Sequence, residues 1–549
     1  MKHLPLIALF AFSFLMPAVA QGPVPTPQQL AWQRMELTLF CHFGVNTYTN
    51  REWGDGSENP AIFNPTELDC RQWARAAKAG GFKLMILTAK HHDGFCLWPS
   101  KFTDHSVRKS PWRNGTGDVV KEFVAAGRAE DLKVGVYLSP WDRHEQTYGT
   151  DAYNEYFSNQ LTELLSNYGP IDEVWFDGAC GEGPNGKKQV YDWDRYYALI
   201  RKLQPQALIA VSGPDIRWVG NESGMAREGE SSVVMRDGKP AWHPAECDVS
   251  IRPGWFYHPD QDSKVKSLEQ LIDIYFKSVG RNSVLLLNVP PDKRGLFADA
   301  DVKRLDEFGR TVRGLYANCV AKGTGGAVVE FGGEKSFTLA NLQEDISRGE
   351  QVKSYRLEVR SGGEWLPVAS GRVLGHRNLH RLAATQADAA RLVVEGAGAA
   401  PTVAWSLHDV APVGPWAKGG GSLTAGKPAT ASNVHGNSTE FGGDKACDGD
   451  KQTRWATSDE TRACWLEVDL LKERGFSRVA ISELAPRITR FQIEARNSPQ
   501  EDWKVVCKGG KAGQDFQTSF APAKARYVRL NILEASAAPT LWEFELTEK

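Results

Sequence analysis

Between residues 37 and 318 the chain alternates two hydrophobic patterns. Short, almost unbroken apolar runs rich in Leu, Ile, Val and Phe are followed by longer stretches whose apolar residues recur every three or four positions. Runs of the first kind read as strands buried on both faces, and stretches of the second kind as amphipathic helices. The spacing predicts strands over 37–43, 82–88, 133–138, 171–176, 207–211 and 283–289. It predicts helices over 66–79, 118–131, 151–168 and 193–203, and one opening at Ser267-Leu268-Glu269-Gln270, a capping-box pattern. Asn64-Pro65 supplies a cap and a first-turn proline for the helix over 66–79. Repeated strand–helix units over this length predict an α/β fold of (β/α)8-like, TIM-type architecture, with irregularity allowed. An open doubly wound sheet is the alternative, disfavoured because no Gly-rich phosphate turn follows the first strand.

From about residue 323 the helical period stops and short alternating runs take over, at Ser336-Phe337-Thr338-Leu339, Tyr355-Arg356-Leu357-Glu358-Val359 and Arg391-Leu392-Val393-Val394-Glu395. The predicted organisation is a signal peptide over 1–20, a barrel over 21–322 and a small β-sandwich over 323–417. A Gly-rich linker over 418–422 and a second β-sandwich over 423–549 complete it. The first segment has a Lys2-His3 start, an apolar run from Leu4 to Met16 and a small-residue end at Ala18-Val19-Ala20. That pattern predicts export to the periplasm or the exterior.

Composition narrows the function classes. With 65 Lys plus Arg against 67 Asp plus Glu, the net charge is −2. Such a balance offers no basic surface for nucleic acid and no polybasic membrane anchor. The 18 tryptophans provide flat apolar faces suited to stacking on sugar rings, although most tryptophans fill cores. The nine cysteines are scattered, odd in number and without a C-x-x-C pair, which argues against a zinc site. Cys447 with Cys464 is one candidate disulfide, and buried thiols are the reading for most of the others.

Candidate chemistry collects where the predicted strands end. His42 closes the first, His91-His92-Asp93 follow the second, Tyr137 ends the third, Asp177 ends the fourth, and Trp218 to Glu222 follow the fifth. In a (β/α) barrel those ends converge on one pocket. Asp177 stands between an apolar strand and Gly178, with Trp175 two residues earlier on the same face. With Glu222 it forms a carboxylate pair of the kind that glycoside hydrolysis requires. For an isolated Asp, a capping role would be the better reading. A metal site built from His42, His91 and Asp93 is a further alternative, opposed by the absence of H-E-x-x-H or a paired Asp motif. Consecutive histidines on an extended backbone would point to opposite sides, which would leave one of His91 and His92 structural.

The segments His42-Phe43-Gly44, Glu52-Trp53, Ala89-Lys90-His91-His92-Asp93-Gly94-Phe95, Val136-Tyr137-Leu138-Ser139 and Val174-Trp175-Phe176-Asp177-Gly178 resemble glycoside hydrolase family 29, the retaining α-L-fucosidases. The stretch from Gly213 to Glu222 resembles the subfamily acting on α-1,3/1,4-linked fucose of Lewis-type glycans. The resemblance implies Asp177 as nucleophile and Glu222 as general acid and then base. It implies His42, Glu52, Trp53, His91, His92 and Tyr137 as sugar ligands, with Trp175 and Trp218 lining the pocket. It implies fucosylated oligosaccharides or glycoconjugates as substrates and no catalytic cofactor. The C-terminal segment, with Asp444-Lys445-Ala446-Cys447-Asp448-Gly449-Asp450 and Leu541-Trp542-Glu543-Phe544, resembles discoidin (factor 5/8 type C) modules and carbohydrate-binding family 32. That likeness implies a structural calcium on Asp448, Asp450, Thr453 and Glu543. A solvated acidic turn is the competing reading.

Overall fold

The computed structural model describes residues 22–396, 401–411, 422–449 and 453–548. The expected signal peptide and nearly all of the Gly-rich linker lie outside them. Among the described residues no helix is long and apolar enough to cross a membrane.

Eight parallel strands form the expected barrel. They are β1 (Leu37–Cys41), β2 (Leu84–Lys90), β3 (Lys133–Leu138), β4 (Glu173–Phe176), β5 (Leu208–Val211), β6 (Arg217–Trp218), β7 (Ala245–Ser250) and β8 (Val284–Asn288). Each pairs with the next along the chain except β5 with β6, and β8 returns to β1. The seam is weakest between β5 and β6, which meet through a single parallel bridge, Ala210 to Ile216. No helix separates β5 from β6, and a two-stranded hairpin, Val233–Arg236 with Lys239–Trp242, stands between β6 and β7. The other connections carry helices on the outside, among them Cys70–Gly80, Val119–Ala129, Asp151–Asn167, Trp193–Leu203, Leu268–Lys277 and Asp299–Leu315.

The helix expected to open at Asn64-Pro65 starts later, at Cys70, capped by the Asp69 carboxylate, which accepts from the Arg71 and Gln72 amides at 2.8 and 3.1 Å. The preceding residues are drawn away, with the Glu67 and Asp69 amides donating to Arg294 and Gly295 carbonyls. The capping box at Ser267 and Gln270 forms as expected. The helix Asp299–Leu315, not foreseen from the sequence, packs on Cys70–Gly80. The approach is so close that a Cβ on Gly309 would lie 2.2 Å from the Ala79 carbonyl oxygen.

Inside the barrel, Phe40, Leu84, Ile86, Tyr137, Trp175, Leu208, Ala210, Ile216, Val284 and Leu286 form a packed layer. Full burial of an aliphatic or Phe side chain contributes about 1.5–3 kcal/mol. Trp32, from the helix Pro27–Gln33, closes the bottom and donates its indole N–H to Glu173 at 2.9 Å. On the opposite strand Glu246 receives the Trp175 indole N–H at 2.8 Å. Burial pushes the Glu173 carboxyl up to about 8, against the Trp32 bond, and lifts Glu246 well above its usual range with the charge of Glu173 adding. Burial thus biases both carboxyls toward the neutral form, which the apolar interior tolerates.

Beyond the barrel, a six-stranded antiparallel sheet runs from Cys319–Thr324 to Val403–His408. A second, seven-stranded antiparallel sheet holds the core of Trp455, Leu466, Ile481, Phe491, Leu530 and Phe544. All nine cysteines are free, so the Cys447–Cys464 disulfide is not formed. Both thiols are buried in this last core.

Candidate active site

Of the polar residues predicted at the strand ends, His42, His91, His92, Tyr137 and Asp177 converge at the C-terminal mouth of the barrel. Asp177 follows β4 directly. Its Oδ2 accepts from the Tyr137 hydroxyl at 3.0 Å and its Oδ1 from the Ala179 amide at 2.7 Å. Two donors thus fix a carboxylate whose side chain is still 27% exposed. His92 Nε2 stands 3.8 Å from the same Oδ2. Tyr137 is buried, stacked on Trp175 with ring centroids 5.3 Å apart. Burial and the adjacent Asp177 charge raise its hydroxyl well above the usual range, so it remains a donor.

The histidine tautomers follow from their neighbours. The Asn288 amide nitrogen donates to Ser250 Oγ and to the Trp255 carbonyl, so Asn288 Oδ1 is an acceptor for His42 Nδ1–H at 2.8 Å. Ser139 Oγ donates to the Trp141 carbonyl and therefore accepts from His92 Nδ1 at 2.7 Å. In each ring Nε2 is left as a lone-pair acceptor, the form that receives a hydroxyl proton. Burial drives His42 down to about 3, and burial drives His92 to about 4 even though Asp177 opposes it. His91 is lowered by burial and by its two histidine neighbours.

His91 and His92 do not point to opposite sides. Their ring centroids are 4.1 Å apart, and His91 also lies against His42, Tyr137 and Phe256. The strand register slips between Thr88 and Lys90, which ends the strict alternation before the pair. Beneath them the fully buried Lys90 ammonium donates to Asp142 at 2.8 Å and to Gln160 at 3.0 Å. Burial pushes the Asp142 carboxyl up, but Lys90 and the His144 and Glu145 amides hold it below its usual range.

At the rim, Glu52 is tied down, accepting from the Trp255 amide at 2.7 Å and pairing with His258. Trp53 is 57% exposed and edges onto His92 and Trp141. Trp218 is 42% exposed and donates its indole N–H to Asp248 at 2.7 Å, while Glu222 lies four residues on in an exposed loop. Trp175 stacks on Tyr137 and gives its indole N–H to Glu246.

The metal arrangement is not present. Asp93 is turned away, its two oxygens taken by Asn46 Nδ2 and the Phe95 amide, and His42 Nδ1 is committed to Asn288. Among the described residues no group of three or more His, Cys, Asp or Glu is placed to hold a metal. In the C-terminal sheet Thr453 donates to Asp448 at 2.7 Å, Glu543 is buried, and Asp450 lies outside the described residues. Those positions assemble no calcium cage among the described residues.

A half-buried carboxylate with fixed donors, beside neutral imidazole acceptors and aromatic walls, is chemistry for a polyhydroxylated substrate with one electrophilic carbon. The chain matches the family described as "Alpha-L-fucosidase" over residues 26–314, slightly more than half its length. The chain belongs to the α-L-fucosidase family of glycoside hydrolases. Residues 428–544 match the F5/8 type C domain. Alpha-L-fucosidase 1 of Arabidopsis thaliana is 42% identical over 442 residues, 70% of this chain and 87% of its own length. A crystal structure of a candidate α-L-fucosidase from Bacteroides ovatus superposes with a TM-score of 0.68 at 39% identity, covering 95% of each chain. A Ruminococcus gnavus family 29 fucosidase solved with fucose is 26% identical, with a TM-score of 0.51 and coverage of 96% of this chain and 95% of its own.

Several pocket residues of this glycoside hydrolase escaped the sequence reading, namely Asp248, Trp255, His258, Asn288 and Ser139. The segment Ala245-Glu246-Cys247-Asp248-Val249-Ser250 did carry a signal. It alternates in strand period, and the set Glu246, Asp248, Ser250 is the polar one. In a barrel the inward face is that set, the reverse of a strand packed on an apolar core. Burial pushes the Asp248 carboxyl up to about 7, against the Trp218 bond, with Glu222 and Asp177 as like charges adding.

The buried imidazoles set one expectation for pH. Because His42 and His92 stay neutral well below their solution value, KM for an aryl α-L-fucoside changes less than about two-fold between pH 7 and pH 5 in Asp248→Asn, which removes the pocket carboxyl raised to about 7. A rise in KM centred near the ordinary histidine value of about 6.5 would contradict the assigned tautomers.

Proposed function

We propose that the chain is a retaining exo-α-L-fucosidase that removes terminal α-1,3/1,4-linked fucose from Lewis-type glycans. The observation that carries this reading is the Asp177 carboxylate. It sits at the barrel mouth, held by Tyr137 and the Ala179 amide, among imidazoles that accept rather than donate. An Asp177 oxygen attacks the anomeric carbon of fucose as the glycosidic C–O bond breaks. The Glu222 carboxyl proton passes to the departing oxygen. The Glu222 carboxylate then takes a proton from water, whose oxygen displaces Asp177 from the same carbon, so two inversions restore the starting configuration. The Nε2 atoms of His42 and His92 accept hydrogen bonds from sugar hydroxyls, and Trp53 and Trp141, packed on each other and on His92, offer an apolar wall beside them. Support for the linkage comes from the Gly213–Glu222 stretch and from Trp218, an exposed indole beside Glu222 where a branched acceptor would stack. The N-terminal apolar segment fits an exported enzyme meeting such glycans outside the cytoplasm.

Incubation with Lewis a, Lewis x, 2′-fucosyllactose and an aryl fucoside tests the reading. Free fucose should appear from both Lewis trisaccharides at least about ten-fold faster than from 2′-fucosyllactose. Its first-formed anomer, followed by NMR, should be α. Equal rates on the three oligosaccharides would remove the linkage preference. Absence of release from all four would leave a glycan-binding protein with an inactive barrel.

A further inference from the structure

The loop that carries Glu222 runs from β6 to the hairpin, over residues 219–232, and all three parts of the chain hold it. At its near end the barrel grips Trp218 through Asp248 at 2.7 Å. At its far end Arg281, just before β8, donates to the Ala226 carbonyl at 2.9 Å, and Ala226 donates its amide to Lys277. Glu350, from the six-stranded sheet, accepts from Ser231 Oγ at 2.6 Å and from the Ser232 amide at 2.8 Å. It is itself held by Asn282 at 2.6 Å. Lys445, from the C-terminal unit, reaches 217 residues back along the sequence to place its ammonium 2.5 Å from Glu228.

Lys445 is not an ordinary surface lysine. Its side chain is 10% exposed, and its other carboxylate neighbours are Asp444, at 3.3 Å, and Asp448. The groups facing Glu228 are Lys445, Arg281 at 3.6 Å and His380. Burial pushes Glu228 up, and Lys445 with Arg281 holds it below its usual range. Glu228 itself is half exposed, so water screens the pair and its contribution to stability is small. Its consequence is geometric. Between Trp218 and Glu228 the loop turns through Gly220 and Gly224, both at positive φ, and its internal ties all run through Asn221, which donates to the Met225 carbonyl and accepts from the Ser223 amide and hydroxyl. A loop of that kind keeps a proton donor in register only if both ends are fixed.

We propose that Lys445 is a positioning residue for the Glu222 loop, and that the C-terminal module serves the reaction as a strut against that loop. The proposal rests on the reading of Glu222 as the proton donor. It gives the module a function that does not require the module to bind sugar.

The test uses the full-length protein and two substrates that differ in their need for an acid. A sugar leaving group must be protonated as it departs, whereas a nitrophenolate departs without help. Glu228→Gln and Lys445→Met should lower kcat/KM on the cleaved Lewis trisaccharide about three- to ten-fold. On nitrophenyl α-L-fucoside kcat/KM should stay within about two-fold, and Lys445→Arg should restore the trisaccharide rate. Amide hydrogen exchange across 219–230 should quicken in the two impaired variants. If both substrates slow equally, or neither slows, the strut is overturned, since a merely structural contact would not discriminate leaving groups. Glu222→Gln run in parallel separates the two ideas. If it shows no difference between the substrates, the acid assignment falls, and the exchange experiment alone then decides the strut, unchanged exchange rejecting it.

Discussion

Asp177→Ala lowers kcat on nitrophenyl α-L-fucoside by at least about four orders of magnitude and leaves the protein folded. The loss is large because the residue forms the covalent bond itself, and removing a nucleophile abolishes a step that no neighbouring group replaces. Tyr137 donates to Asp177 and His92 presents a neutral nitrogen, so neither offers an oxygen anion to the anomeric carbon. The fold survives for an equally local reason. The Asp177 side chain stands partly in solvent beyond the end of β4, and its loss frees one hydroxyl and one amide that water can reach. The cost is about 1–3 kcal/mol, a shift of a few degrees in Tm. Steady-state kinetics with thermal melting checks both halves. Trapping a fucosyl adduct on the native protein and locating it by peptide mass spectrometry checks the assignment directly. A variant with a tenth of the native rate, or an adduct on another peptide, would remove Asp177 from the role.

Glu222→Gln separates substrates by leaving group. On a Lewis trisaccharide kcat/KM falls about 10²–10⁴-fold, the usual contribution of a positioned acid. On nitrophenyl fucoside kcat/KM is largely kept, because bond cleavage no longer needs a proton. Turnover then stalls at the second step, where no base activates water, and a burst of nitrophenolate equal to the enzyme concentration appears. Glu222 is exposed and sits in a loop, yet the Asp248 carboxyl below it is buried and is raised to about 7 by burial and by the charges of Glu222 and Asp177. Loss of both substrates to the same extent in Glu222→Gln would move the acid role elsewhere, with Asp248 next in reach of the pocket.

Much of the barrel was legible because local patterns and the tertiary fold agree. Lys133–Leu138 and Trp193–Leu203 begin and end where their periodicity does. The cap at Ser267 forms from residues three apart. Asp177, His42, His92 and Tyr137 were visible for a related reason: each follows or ends an apolar run, and a parallel barrel delivers every such end to the same mouth. The helix before β2 began later than expected because the loop at Arg294 and Gly295 captured its first residues, an interaction with no local signature. The strand β7 was overlooked because its inward face is polar, the inverse of the pattern that marks a buried strand.

By itself, then, the sequence determined the period of each element, and with it the barrel and the set of side chains at its open end. These depend on contacts within a few residues and on a topology that repeats. The tertiary structure alone decided which imidazole nitrogen carries hydrogen, through Asn288 and Ser139. It decided that Trp175 bonds to Glu246 while Trp218 stays at the rim on Asp248, and that Lys445 reaches the Glu222 loop. Each of those outcomes is a hydrogen bond or ion pair between segments 30 to 246 residues apart. Such partners are chosen by which strands lie side by side and how far a side chain extends, and neither quantity exists until the chain has closed on itself.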